Sequence, residues 1–125
     1  MRGLRHKNIL RLYEVLDDPS VNKVYLIMEL ANGGDLHNFL QRDSKISFLG
    51  DTLRFVARQM IEGIFYLHQN NHVHNDLKPS NILIASDGTD GVGTVKIADF
   101  GVSGTGRVRV DDSAGTPAFM APEGR

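Results

Sequence analysis

An α+β fold is what this 125-residue sequence predicts, and three observations carry that expectation. Two stretches near the start, residues 9–16 and 24–28, have the apolar character of strands. Apolar residues at three- and four-residue steps then mark one long helix over residues 51–69. Two short apolar runs, 81–84 and 95–98, flank a polar, glycine-rich stretch, as the arms of a hairpin do.

The bulk properties narrow the classes. The length suits one domain with a core of its own. A net charge of -1 gives no support for binding nucleic acid or a membrane surface. With no cysteine there is no disulfide framework and no thiolate zinc site. No apolar run is long enough to span a bilayer, and the start shows no apolar signal core. The expectation is a soluble cytoplasmic protein. Neither an internal repeat nor a low-complexity tract is present.

In chain order, residues 1–7 are short and basic and read as a last helical turn, weakened by Gly3. In 9–16, Leu10, Leu12 and Glu14 share one strand face. Asp17-Asp18-Pro19-Ser20 is a turn by composition. Residues 24–28 are continuously apolar, the pattern of a buried strand, and pair antiparallel with 9–16. Gly33 and Gly34 follow at once and mark a turn or linker. A short helix spans 35–42, with Asp35 as N-cap and Leu36, Phe39 and Leu40 on one side.

In the long helix the stripe is Leu53, Val56, Ala57, Met60, Ile61, Ile64 and Leu67, which is core rather than a cofactor box. Gly63 is costly in a helix, so its presence points to close packing against a neighbour. Residues 85–94 form the loop of the later hairpin. Residues 102–120 carry glycines and few apolar anchors, the composition of a mobile segment.

The chemistry concentrates in His74-Asn75-Asp76-Leu77-Lys78-Pro79-Ser80-Asn81. An acid able to take a proton, an ammonium able to sit against phosphate, and an amide able to hold a metal lie in one loop. Pro79 fixes its own φ and drives Lys78 away from helix, which stiffens that loop. Asp99-Phe100-Gly101 follows, a second metal-competent carboxylate, and then Ala121-Pro122-Glu123.

Each motif alone is weak; their order is specific. His-x-Asp-Leu-x-x-x-Asn, Asp-Phe-Gly and Ala-Pro-Glu in succession resemble the catalytic core of eukaryotic-type protein kinases, and the likeness covers nearly the whole chain. It implies a truncated protein-kinase-like α+β fold: residues 1–28 a remnant of the small lobe, 29–35 the hinge, and 36–125 the start of the large lobe through the activation segment.

The resemblance implies ATP and Mg2+ as cofactors and the serine or threonine hydroxyl of a protein as acceptor. Asp76 would orient that hydroxyl and take its proton. Lys78 would neutralise the transferring phosphate. Asn81 and Asp99 would hold magnesium, which needs few protein ligands because it keeps its waters. Met28 would be the gatekeeper, the Glu29 carbonyl and Ala31 amide the adenine contacts, Asp35 a ribose partner and Leu83 the floor of the adenine pocket. His74 and Phe100 would hold the two loops in register. Thr116, in Gly115-Thr116-Pro117, would bond toward Asp76 and Lys78; with Lys78 it marks the serine/threonine pattern. Residues 14–19, 97–103 and 115–123 are similar to calcium/calmodulin-dependent protein kinase kinases and related kinases upstream of AMP-activated protein kinase. No basic amphipathic segment resembles a calmodulin target.

Three departures stand out. Asn75 replaces the family's usual arginine, which in many kinases pairs with an activation-segment phosphate; asparagine lacks the charge. The expectation is independence from such phosphorylation, with Ser103, Thr105, Ser113 and Thr116 as candidate sites. No Gly-rich loop or Val-Ala-x-Lys strand precedes Ile9. No helices follow Arg125, so some of Met60, Ile64 and Leu67 should be uncovered, a self-association liability.

Other readings compete. His72, His74 and Asp76 alternate as zinc ligands do in a strand, but lack a further ligand of matching spacing. The glycines of 88–93 resemble a phosphate cradle, but a kinase's Gly-rich loop comes first in the chain. The functional classes are therefore a serine/threonine kinase segment with doubtful autonomous activity, a non-catalytic kinase-like fragment that binds a protein partner, or a fragment without independent role.

Overall fold

The computed structural model describes residues 3–42, 50–86, 92–98, 104–105 and 116–124. Strands β1 (Leu12–Asp18) and β2 (Lys23–Met28) form an antiparallel ribbon. Helices α1 (Leu36–Arg42) and α2 (Gly50–Gln69) follow. Strand β3 (His72–Val73) pairs with β6 (Gly104–Thr105), and β4 (Ile82–Ala85) pairs with β5 (Thr94–Ile97), both antiparallel.

The core lies between α2 and the β4–β5 hairpin. Ile82, Ile84, Val95 and Ile97 are each 2% exposed or less, and Val56 and Leu67 of α2 close over them. Alternation along each short strand sends these residues to one face. Residues 8–10 add a third arm alongside β5: Ile97 N–H donates to the Asn8 carbonyl and Leu10 N–H to the Ile97 carbonyl, each at 2.9 Å. Gly63 is the reason α2 can come so close. A Cβ there would sit 2.9 Å from the Asn8 carbonyl oxygen and 2.9 Å from Ile97 Cδ1. Close packing against Asn8 and Ile97 is thus what Gly63 permits.

A polar knot ties the same three segments. The Asn8 side chain, wholly buried, donates to Gln59 Oε1 at 2.9 Å and to the Val95 carbonyl at 2.8 Å. Gln59 Oε1 also accepts from Val95 N–H at 3.0 Å.

The two glycines after β2 turn the chain onto β4. Gly33 N–H donates to the Ile84 carbonyl at 2.7 Å, and Ile84 N–H to the Gly34 carbonyl at 2.8 Å. A Cβ on Gly33 would lie 2.6 Å from that Ile84 oxygen, and Gly34 has φ +76, a left-handed value that glycine takes without strain. Asp35 then caps α1, as its composition predicts: its Oδ1 accepts from Asn38 N–H at 2.7 Å.

Four expectations need correction. Residues 3–7 form no helical turn. Ile9 and Leu10 lie outside β1 and bond to β5 instead, and an irregularity between Leu12 and Glu14 turns Glu14 out while Leu12 stays buried. Strand β2 is not buried: every one of its residues is exposed, and in β1 Leu12 is buried while 13–17 are exposed. An apolar run reports affinity for a cover, not its presence. Along α2, Leu67 is 1% exposed, packed on the hairpin, and Met60 and Ile64 are half-buried. The uncovered apolar residues are Leu53, Phe55, Ile61 and Phe65. The hairpin occupies the Val56–Gly63–Leu67 side, which leaves these on the outer flanks.

Among the described residues, no helix is long and apolar enough to cross a membrane.

Candidate active site

The end of α2 feeds β3, and the chain then enters the loop from His74 to Asn81. Its conformation follows from its residues. Asn75 has φ +66, a left-handed value that asparagine takes more readily than most residues with a side chain. Lys78, before Pro79, is extended at φ -155 and ψ 160. Pro79–Asn81 then makes a single 3-10 turn that leads into β4.

His74 anchors this loop from below. It is 3% exposed. Its Nε2 lies 2.7 Å from the Ala98 carbonyl, which can only accept, so Nε2 donates. Its Nδ1 accepts from Asp76 N–H at 3.2 Å. These two contacts explain His74 without a metal, and among the described residues no group of metal-ligating side chains gathers. The zinc alternative has no support there.

Four of the predicted site residues meet. Thr116 Oγ1 donates to Asp76 Oδ1 at 2.7 Å and accepts from Lys78 Nζ at 2.7 Å. Lys78 Nζ also lies 3.2 Å from Asp76 Oδ2, with the two side chains 24% and 13% exposed. Asn81 Nδ2 donates to the Asp76 backbone carbonyl at 2.8 Å and lies 3.4 Å from its Oδ2. The Thr116 hydroxyl, ahead of Lys78, holds the Asp76 carboxyl below the ordinary carboxylate range, although partial burial works the other way. Asp76 is thus an ionised acceptor set among three donors. A carboxylate has about four acceptor positions, so these bonds leave it able to accept another proton donor.

Asn81 is 5% exposed and its amide nitrogen is committed to Asp76, so its carbonyl oxygen is the end that can take a cation. A hard oxygen donor of this kind suits magnesium. Asp99 and Phe100 lie outside the described residues. The residue before them is held on both sides, however. Ala98 N–H donates to the Asn81 carbonyl at 2.9 Å, and the Ala98 carbonyl accepts from His74. The backbone therefore holds Ala98, the last described residue before Asp99, beside the loop that carries Asp76 and Asn81.

The remaining predicted residues fall on a second group. Met28 ends β2 opposite Leu12. Glu29 N–H donates to the Arg11 carbonyl at 2.8 Å. Asp35 and Leu83 face each other across an isolated bridge, which sets the 29–35 segment against β4. The Asp35 carboxylate is engaged by both nitrogens of Asn38. Ala31 is half-buried between these points. Within the 102–120 stretch, Gly104–Thr105 is described as β6 and Thr116–Met120 with a 3-10 turn at Pro117–Phe119. Ser103 and Ser113 lie outside the described residues.

Sequence reasoning missed two polar groupings: Asn8 with Gln59, and Lys96 with Glu29. Gln59 was discernible as the polar residue between Val56 and Met60 on the apolar stripe. Lys96 is the lone charge within an apolar strand.

Comparison with known proteins gives a consistent picture. The family profile described as protein kinase domain matches residues 1–124. Serine/threonine-protein kinase TOS3 of Saccharomyces cerevisiae is 37% identical over 141 residues, covering 98% of this chain and 24% of that protein. A calcium/calmodulin-dependent protein kinase kinase of Caenorhabditis elegans is 40% identical over 131 residues, covering 98% of this chain and 22% of that protein. A probable myosin light chain kinase of Dictyostelium discoideum is 41% identical over 126 residues, covering 98% of this chain and 34% of that protein. The chain thus spans about a quarter to a third of the length of these relatives.

Proposed function

The chain belongs to the protein kinase domain family, and we propose that it carries the catalytic loop of a serine/threonine protein kinase, which moves the γ-phosphoryl group of ATP to a protein hydroxyl. The observation that supports this most is the meeting of Asp76, Lys78, Asn81 and Thr116 within hydrogen-bond reach. Phosphoryl transfer needs positioning and charge rather than covalent help.

Asp76 orients the acceptor hydroxyl and takes its proton as the oxygen attacks. Lys78 faces the transferring phosphate, whose negative charge it offsets. Thr116 keeps the carboxylate and the ammonium at a fixed separation. Asn81, with Asp99, would hold magnesium. The bound metal offsets charge on the phosphate oxygens. The segment from Met28 to Asp35, with Leu83 beneath it, takes the adenosine: the Glu29 carbonyl and Ala31 amide meet the adenine, and Asp35 the ribose. The cytoplasm is the location that goes with this reading.

The relatives named above include kinases of several subfamilies, so the likeness to calcium/calmodulin-dependent protein kinase kinases is one member of that set. The acceptor protein is a further part of the proposal. It is tested by phosphate transfer from γ-labelled ATP to a serine/threonine peptide library, with Asp76→Asn as the control that must abolish it.

A second reading has its own observation. Leu53, Phe55, Ile61 and Phe65 on α2 are 49–66% exposed, an apolar surface of the kind that binds protein. A non-catalytic module would use it, and this chain alone would self-associate through it. Sedimentation of the wild type against Ile61→Lys/Phe65→Lys separates the readings: association lost in the variant, with no transfer by either, favours the module.

A further inference from the structure

Lys96 lies outside the Asp76 cluster and has no part in the chemistry just described. It sits in β5 between Val95 and Ile97, both 0% exposed and both in the core against α2. Strand alternation sends its side chain to the opposite face, the one shared with its cross-strand partner Leu83. There Lys96 Nζ donates to Glu29 Oε1 at 2.7 Å and to the Lys7 carbonyl at 2.9 Å. The other oxygen of Glu29 accepts from Arg11 N–H at 3.2 Å, and Glu29 N–H donates to the Arg11 carbonyl. One ammonium, 9% exposed on its side chain, thus gathers residue 7, the first residue after β2, and β5.

Taking an ammonium out of water is costly, and apolar residues of similar volume often replace a buried pair without loss. A stability role alone therefore explains this lysine poorly. A role in register explains it better, because the pair accepts only one relative placement of the segments it joins.

We infer that Lys96 and Glu29 are positioning residues for the nucleotide. This rests on the kinase reading. The pair fixes the backbone of residues 29–31 against the hairpin face that carries Leu83. It thereby sets the width of the slot between the Glu29 carbonyl, the Ala31 amide and Leu83. Neither residue touches a reacting atom through its side chain. Their loss therefore weakens nucleotide binding and leaves the chemical step alone.

The test uses Lys96→Met, Lys96→Arg and Glu29→Gln in the full polypeptide that the gene encodes, with two readouts. The first is amide hydrogen exchange. In Lys96→Met the amides of Glu29 and Gly33 exchange at least about tenfold faster, while those of Val56 and Leu67 in α2 are unchanged. Lys96→Arg returns them to within about threefold of wild type, and adding Glu29→Gln to Lys96→Met has no further effect. The second readout is transfer kinetics: the KM for ATP rises at least about fivefold in Lys96→Met while kcat stays within about twofold. Unchanged exchange at residues 29–33 overturns the inference. So does loosening that extends through α2, which marks a merely structural lysine, and so does a fall in kcat at constant KM. A wild type that transfers no phosphate removes the kinase reading and the nucleotide role with it; exchange then shows separately whether the pair holds residues 29–33.

Discussion

The hydroxyl of Thr116 stands 2.7 Å from Oδ1 of Asp76, though 40 positions separate them in the chain. Thr116 Oγ1 in turn accepts from Lys78 Nζ at 2.7 Å. One hydroxyl therefore spaces the proposed base from the proposed phosphate-facing cation, and it ties the stretch before Ala121-Pro122-Glu123 to the loop that carries Asp76.

Thr116→Ala removes both bonds. Hydrogen bonds to charged groups are worth about 1.5–3 kcal/mol, so transfer should fall by about 10- to 100-fold. Thr116→Ser should keep most of it. The pH dependence follows from Asp76, whose folded pKa lies below its ordinary value of 3.8, chiefly because of Thr116. A lowered carboxylate pKa adds stability that is fully present above the unfolded value and is lost as pH falls through the folded value. The loss should thus come on below pH 3.8 in wild type. In Thr116→Ala the folded pKa moves back up, so the acid limb of activity shifts to higher pH. Paired pH–rate profiles check this.

Gly33 and Gly63 hold close approaches and should not tolerate a methyl group. Gly33→Ala meets the Ile84 carbonyl oxygen at 2.6 Å, a backbone atom that cannot swing aside. The expected cost is about 1–3 kcal/mol. Gly63→Ala meets the Asn8 carbonyl at 2.9 Å. Its overpacking cost is offset by about 1 kcal/mol of helix propensity, so the net loss is smaller. Gly50→Ala, with nothing within 4 Å, is the control and should be neutral or stabilising. Thermal unfolding of the three variants ranks them.

Asn75 lacks the charge to grip a phosphate. Alanine at Ser103, Thr105 and Ser113 together should therefore leave transfer within about threefold of wild type. Loss of transfer in the triple variant, restored by aspartate at any of these positions, contradicts the expectation. The assay is initial rate at saturating ATP.

Much of the architecture is legible in the residues, for identifiable reasons. The α2 stripe announces a helix because periodicity is local. Gly63 announces a close neighbour because a glycine there has a cost that only packing offsets. The Asp76 loop announces a polar cluster because acid, ammonium and amide fall within six positions. What the residues do not announce is which apolar surface finds a cover. Strand β2 reads as buried and is open, while Leu67 reads as vulnerable and is 1% exposed. Long-range polar partners are equally hidden. Lys96 and Glu29 are 67 positions apart and Asn8 and Gln59 are 51, and no local pattern pairs them.

The proposed function turns on Asp76 as the base of a phosphoryl transferase. The most direct test is the initial rate of γ-phosphate transfer from ATP to a serine/threonine peptide, for wild type and Asp76→Asn in the full polypeptide that the gene encodes. Wild type should transfer phosphate, Asp76→Asn at least about 100-fold less, and the Kd for ATP should be unchanged. Undiminished transfer by Asp76→Asn, or none by wild type with ATP and magnesium present, would contradict it.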